Sequence, residues 1–375
     1  MGTRRVLRRL LAAVAVAVAC TVLAEGVLRT AVPLPGSQRL RLRQELPGLA
    51  PEIVYERNAF GLRSLSMETR EKPPGALRVL CLGASTTDQP TQSTGDTWCG
   101  LLERRLEGEL ASRGVRLETA SYGRGGMRAP DLLRWAETEL LAYEPDLVVT
   151  LLGVNDLAWP GGPDYAYDGR LERALPAVAA PAPGLRCRDV SQLCRRGHLL
   201  RERLSRWRAL GSGREVEWHS RNLPELRREH RERPAVEAPA REPDPLREFS
   251  DAVEALLAFL GERGVATVVL GQPVLWKPTL SRAEAAALWF PVNTPGGYVR
   301  SGGAWLAAEM ERYNRVQRDH AARHGAAYLD LDARIPKDLD HYFDDCHFTD
   351  RGSRLVAEQV LPLVRAGLRE RGGSP

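Results

Sequence analysis

Four separated clusters in this 375-residue chain carry side chains able to do chemistry. The first is Ser85-Thr86-Thr87, just past Val79-Leu80-Cys81-Leu82-Gly83. The second is Ser121-Tyr122-Gly123-Arg124-Gly125-Gly126, the third Gly153-Val154-Asn155-Asp156, and the fourth Asp344-Asp345-Cys346-His347. A serine hydroxyl is a poor nucleophile until a base takes its proton. His347 can be that base if the fold brings it beside Ser85. Asp344 lies three residues before His347. That spacing lets its carboxylate accept from the imidazole Nδ1–H, which fixes the tautomer and stabilises the imidazolium. Asp345 is then expected to be a bystander whose change to Asn does little. Each cluster also has an ordinary reading: a Ser/Thr-rich turn, an Asn-Asp pair that caps something, a surface histidine at a helix start. Another reading gathers Asp340, His341, Asp344, Asp345, Cys346 and His347 around a divalent metal. It leaves the other three clusters unexplained.

These clusters need elements to position them. The apolar run 79–82 suits a strand buried on both faces of a parallel sheet. In open α/β sheets, ligands bind outside the carboxyl ends of the strands, where Ser85 would sit. Further strands are expected at 115–120, 147–152, 265–270 and 327–331. Between them the apolar spacing predicts helices. One spans 98–110, on Trp98, Leu101, Leu102, Leu106 and Leu110; another spans 130–143. A third carries Leu246, Phe249, Val253, Leu256, Leu257 and Leu260 on one stripe. A fourth spans 304–324, and the last runs from 350 to 368 with Thr349 as its N-cap. This alternation argues for a three-layer α/β/α domain, flavodoxin-like, with a mainly parallel five-stranded sheet. Residues 158–245 break the pattern with prolines, glycines and dense Arg/Glu. They read as an insertion at the carboxyl edge, with short helices such as 199–210 and a solvated helix face at 221–232.

Taken together and in order, the four clusters resemble the four sequence blocks of the SGNH/GDSL hydrolase superfamily. The resemblance runs from about Arg78 to Arg371, outside the insertion. Gly-x-Asn-Asp and Asp-x-x-His are its most specific parts. It implies an ester hydrolase with Ser85, His347 and Asp344 as catalytic residues and no cofactor or metal. It implies an oxyanion hole from the backbone N–H of Ser85, the N–H of Gly123 and the side-chain amide of Asn155, with Asp156 supporting the loop. Glycine at 123 is expected because backbone must approach the substrate closely. The sequence departs from the family in three places. Ala84 stands where Asp is usual before the serine. Gln89 stands where glycine is common four residues after it, and is expected to alter the pocket floor. Ser121 stands where Asn is frequent. Two other readings stay open: an O-acetyltransferase that passes the acyl group to an extracytoplasmic glycan, and a catalytically silent glycan-binding or scaffold module.

Composition sets the wider frame. Hydrophobic residues make up 43% and charged residues 27%, as in a globular protein with a real core. The net charge is 53 − 48 = +5, nearly all from arginine interleaved with acids. No basic face or aromatic-basic ladder speaks for nucleic acid. The expected partner is an acyl-ester substrate, on a glycan or a lipid. Arg4, Arg5, Arg8 and Arg9 precede an apolar run over 10–24 that resumes at Val27-Leu28. Residues 1–32 are therefore expected to be a transmembrane signal anchor, with a cleaved signal as the alternative. The arginines would leave the N-terminus in the cytoplasm and the domain periplasmic or extracellular. Residues 33–75 read as a juxtamembrane stalk that becomes ordered near 55–63, and 76–375 as the hydrolase-like domain. If the domain is exported, Cys187 and Cys194 are close enough in sequence to form a local disulfide.

Overall fold

The computed structural model describes residues 12–14, 16–24, 27, 37–58, 60–158, 218–241 and 244–371. The chain divides into two compact units, 1–36 with 169–213 and 37–168 with 214–375. In the first unit the described residues are helical. Among the described residues no helix is long and apolar enough to cross a membrane. Much of the expected anchor, 1–32, lies outside them, so the transmembrane expectation gains no support.

In the second unit the strands are β1 (Ser37–Arg43), β2 (Glu52–Asn58), β3 (Ala76–Gly83), β4 (Arg116–Gly123), β5 (Leu147–Leu151), β6 (Ala266–Leu270), β7 (Val292–Thr294), β8 (Gly297–Val299) and β9 (Ala327–Leu329). The helices are α1 (Ser85–Asp88), α2 (Trp98–Ala111), α3 (Ala129–Glu139), α4 (Val154–Ala158), α5 (Trp218–Glu232), α6 (Pro245–Glu262), α7 (Arg282–Ala287), α8 (Gly303–Arg323) and α9 (Asp350–Arg371).

Five strands form one parallel sheet in the order β4-β3-β5-β6-β9. Every residue of β3 and β5 is buried, which is why both read as continuous runs rather than alternating ones. Each fully buried Val or Leu contributes roughly 1.5–3 kcal/mol over its exposed state. Parallel crossovers are right-handed. From β3 the chain steps one way to β4 through α2, then back past β3 to β5, β6 and β9 through α3, α6 and α8. The reversal places α2 on the face opposite α3, α6 and α8. The packing agrees: α2 lies against α9, and α6 lies against α3 and α8. The crevice at the reversal, between the carboxyl ends of β3 and β5, is where such sheets bind ligands.

Arg78 opens the apolar run yet is fully buried. Its guanidinium meets Glu118 of β4 and the carbonyls of Arg70 and Tyr143. A buried charge of this kind is tolerated only when paired and hydrogen-bonded.

The stretch read as a stalk is structured over its described residues, 37–58 and 60–75. β1 and β2 pair antiparallel from Ser37↔Asn58 to Arg43↔Glu52. Val54 N–H donates to Ser93 Oγ at 3.1 Å and Glu56 N–H to Thr94 Oγ1 at 2.8 Å, tying the hairpin to the segment after Ser85. Cys81 of β3 is bonded to Cys99 of α2. Cys187, Cys194 and the expected helix 199–210 lie outside the described residues.

Candidate active site

The sheet register sets the frame. Gly83 pairs with both Gly123 and Leu151, so the carboxyl ends of β4, β3 and β5 are level. α1 begins two residues beyond Gly83 and folds back over these ends. Glycine is required beneath it. A Cβ on Gly83 would lie 2.1 Å from Thr87 Oγ1, and one on Gly123 would lie 2.6 Å from the Ala84 carbonyl oxygen and 2.7 Å from Asp88 N. Gly123 is thus small because α1 rests on it, a different reason from the expected approach of substrate. Ala84 keeps its side chain in the core, and its carbonyl accepts from Thr87 and Asp88 N–H.

α1 ends at Gln89, whose backbone is left-handed at φ 45° and ψ 61°. Glycine adopts that conformation at no steric cost, which accounts for glycine at the matching family position. Gln89 holds it with its buried side chain. Oε1 accepts from Trp98 N–H at 2.7 Å, and Nε2 donates to Gln92 Oε1 and Ser353 Oγ, each at 2.5 Å. The fully buried Arg63 guanidinium donates to the carbonyls of Asp88, Gln89 and Gln92. Tyr55 and Arg57 of β2 hold the Asp88 carboxylate. The turn carrying Ser85 is therefore fixed from below and from behind.

The loop before α9 brings His347 to this turn. His347 Nε2 lies 2.8 Å from Ser85 Oγ, and Nδ1 lies 2.8 Å from Asp344 Oδ2 and 2.9 Å from Oδ1. Asp344 is fully buried. Its Oδ1 also accepts from the N–H groups of Cys346 and His347, at 3.0 and 2.9 Å. Burial alone would push this carboxyl up. The charge on His347 and the hydrogen bonds from His347, Trp289 and Cys346 outweigh it and hold Asp344 well below the usual carboxylate range. The ring of Phe343 lies nearly parallel to the imidazole, with centroids 5.6 Å apart.

The third cluster braces the segment just past the second. Asn155, on α4, donates from Nδ2 to Met127 O at 2.8 Å; that amide carries a second N–H. Asp156 Oδ1 accepts from Ala129 N–H at 2.9 Å, capping α3. Burial pushes Asp156 up to about 7. Ser121 lies inside β4, where its backbone bridges that of Arg63.

A family model of the GDSL-like lipase/acylhydrolase family matches residues 81–355. The chain belongs to this family. It is an ester hydrolase of the GDSL type. Among solved structures, it is similar to the acetyl xylan esterase AlAXEase, with 15% identity over 77% of this chain and 100% of that one, at a TM-score of 0.42. An α/β hydrolase enzyme from the metagenome of Lake Arreo, Spain, shares 16% over 76% and 94%, at 0.41. An acetylxylan esterase from Geobacillus stearothermophilus shares 13% over 76% and 93%, at 0.42. These likenesses are too distant to carry an activity across. No curated protein matches.

In this GDSL-type hydrolase two features run against the sequence reading. Asp345 is no bystander. It is fully buried, and its carboxylate accepts from Trp276 Nε1–H at 2.8 Å, Trp289 N–H at 2.8 Å and Phe290 N–H at 3.1 Å. Burial, then the charge of Asp344, push it up to about 6. The second is the 221–232 stretch. It belongs to α5, but Arg227 turns inward to the carbonyls of Phe343 and Ala287, and Arg233, just past the helix, reaches that of Trp289.

The metal reading fits poorly. Asp344, Cys346 and His347 bring one ligand atom each within 4.8 Å of one another. Both oxygens of Asp344 already face N–H donors, and so do those of Asp345. Asp340 pairs with Arg351, and His341 with Asp338. Trp276, Trp289 and Phe343 were invisible to spacing. The one usable signal was chemical: a buried tryptophan needs a partner for its N–H.

Proposed function

We propose that this hydrolase cleaves an O-acyl ester through an acyl-enzyme on Ser85. The observation that carries the reading is the continuous hydrogen-bonded chain from Ser85 Oγ through His347 to Asp344. Neutral His347 keeps its proton on Nδ1, toward Asp344, and turns the Nε2 lone pair to Ser85. Ser85 Oγ attacks the acyl carbon, its proton passes to Nε2, and the carbonyl electron pair moves onto oxygen. The backbone N–H groups of Ser85 and Gly123 and the second N–H of the Asn155 amide are the proposed donors to that oxyanion. Collapse expels the alcohol, which takes the proton from Nε2. Water then repeats the sequence at the acyl-enzyme. Asp156 supports the loop and takes no part in the chemistry. The reading calls on no cofactor or metal.

The test is a fluorophosphonate label mapped by mass spectrometry, with turnover of short aryl esters by Ser85→Ala. Label on Ser85 and loss of nearly all turnover are expected. Unchanged turnover by the variant would overturn the assignment.

We also propose that the domain works outside the cytoplasm, on an acyl ester carried by a glycan or lipid, with residues 1–32 as export signal or anchor. The Cys81–Cys99 disulfide and the arginine-flanked apolar stretch support this. Whole cells can be treated with a permeant alkylating agent under denaturing lysis. Cys81 and Cys99 recovered as alkylated thiols would count against an oxidising compartment.

A further inference from the structure

We propose that Trp289 is a positioning residue of the Ser85 site: its indole N–H holds the outer oxygen of Asp344, and Asp345 and Arg233, just past α5, hold the tryptophan. The inference rests on the Ser85 reading above and extends it to residues outside the four clusters.

Three observations converge on this residue. Trp289 Nε1–H donates to Asp344 Oδ2 at 2.9 Å, the same oxygen that His347 Nδ1 approaches. The indole plane lies within 4° of the imidazole plane, with centroids 6.5 Å apart. The backbone of Trp289 is gripped at both of its polar groups. Its N–H donates to Asp345 Oδ2, and its carbonyl accepts from Arg233 Nη1 at 3.1 Å. Arg227 adds a second tie across the same gap. Its Nε donates to the Ala287 carbonyl at 3.1 Å and its Nη2 to the Phe343 carbonyl at 2.6 Å. One α5 side chain thus bonds both to the segment that carries Trp289 and to the residue before Asp344.

A carboxylate with two oxygens can rotate about its Cβ–Cγ bond. Two backbone N–H groups fix Oδ1 from the loop side. Among the described residues, the indole is the donor that fixes Oδ2 from outside the loop. Removing that N–H frees the carboxylate plane against the imidazole and leaves more of its charge uncompensated. The other charged or titratable groups facing Asp344 are Asp345 and Cys346 on the same loop, Arg227 on α5 and His347 itself. All of them remain in a Trp289 variant. The expected result is a stronger pull on the imidazolium, so the acid limb of kcat/KM, which reports the base in free enzyme, moves to higher pH. Loss of one hydrogen bond to a charged group should lower kcat roughly tenfold to a hundredfold, with KM little changed.

The experiment compares the full chain with Trp289→Phe, and with benzothienylalanine at 289 installed by amber suppression. The second keeps both rings and lacks only the N–H, so no void confuses the result. Turnover of an aryl acetate is followed from pH 5 to 9, with Ser85→Ala alongside. Lower kcat and a raised acid limb in both variants support the proposal. A lower melting temperature with unchanged kcat and unchanged limb overturns it, since that is a packing role only. Undiminished turnover by Ser85→Ala overturns the underlying site reading, and the proposal with it.

Discussion

Replacing Asp344 with Asn keeps size, removes one acceptor and adds two donors. Asp344 meets its neighbours only as an acceptor: two backbone N–H groups at Oδ1, the indole at Oδ2, and His347 Nδ1 between them. An amide has one oxygen. Turned to the two backbone donors, it presents its NH₂ to the indole N–H and to Nδ1. The indole is then a buried donor facing a donor, at about 1–3 kcal/mol. That corresponds to roughly 2–4 °C in Tm per kcal/mol for a domain of this size. The imidazole adapts by accepting at Nδ1 and carrying its proton on Nε2, toward Ser85. It can no longer take the serine proton. In a serine-protease triad the same exchange costs about 10⁴ in kcat. We expect a fall of about 10²–10⁴ in kcat for this enzyme, assayed with an aryl acetate at neutral pH, with kcat/KM climbing at alkaline pH as hydroxide replaces the base. A variant within about threefold of the parent near pH 7 would refute the role given to Asp344.

Asn155→Ala should lower kcat by roughly 10²–10³, the cost of one oxyanion donor, with KM nearly unchanged; a raised KM at normal kcat would mean ground-state binding instead. Asp156 is held up to about 7 by burial, so above its unfolded value the folded state retains a proton that the unfolded chain has released, and this cost to stability grows as pH rises toward 7. The stability gained by Asp156→Asn over the parent should therefore widen from pH 5 to pH 8, by an amount on the order of 2 kcal/mol read as a growing gap in Tm; a gap that narrows would show the carboxylate to be stabilised by folding. Asp345→Asn should lower both Tm and kcat, read by calorimetry and the same ester assay; silence in both would remove the hydrogen-bond role assigned to it.

What could be read from the sequence came from continuity along the chain. Val79–Leu82 and Leu147–Leu151 are buried on both faces, and unbroken apolar runs report that directly. β4 was shorter in prospect than in fact, because Glu118, Thr119 and Ser121 interrupt its apolar pattern and are buried all the same. The β1–β2 hairpin was missed although Leu40 and Leu42 alternate with Arg39, Arg41 and Arg43. Arginine density masked a period of two. Asp344 and His347 share one turn, so their spacing was informative. The contacts that hold them are not local. Trp289 lies 55 residues before Asp344, and Arg227 lies 116 before Phe343. No periodicity encodes such pairs. They exist because α5 and the segment after α7 pack against the loop before α9.

Asp344 and Asp345 show how far environment outruns sequence. They are the same residue, adjacent, and both fully buried. Two neighbouring buried carboxylates repel, so both cannot be comfortable as anions. Asp344 faces an imidazole that takes on positive charge whenever it accepts a proton, and it stays ionised. Asp345 is held by neutral dipoles, two backbone amides and the Trp276 indole, and is pushed up to about 6. Charge is thereby kept on the carboxylate that meets His347, while its neighbour anchors the backbone of Trp289. The spacing Asp-x-x-His names which of the two can reach the histidine. It says nothing of the other, whose task depends on two tryptophans brought in from elsewhere in the chain. In Asp345→Asn the amide oxygen can keep the backbone N–H groups of Trp289 and Phe290, but its NH₂ then confronts the Trp276 indole N–H. That mismatch, about 1–3 kcal/mol in a dry site, would reach Asp344 through Trp289. The neighbour that looked like an inert control is therefore a second handle on the same histidine.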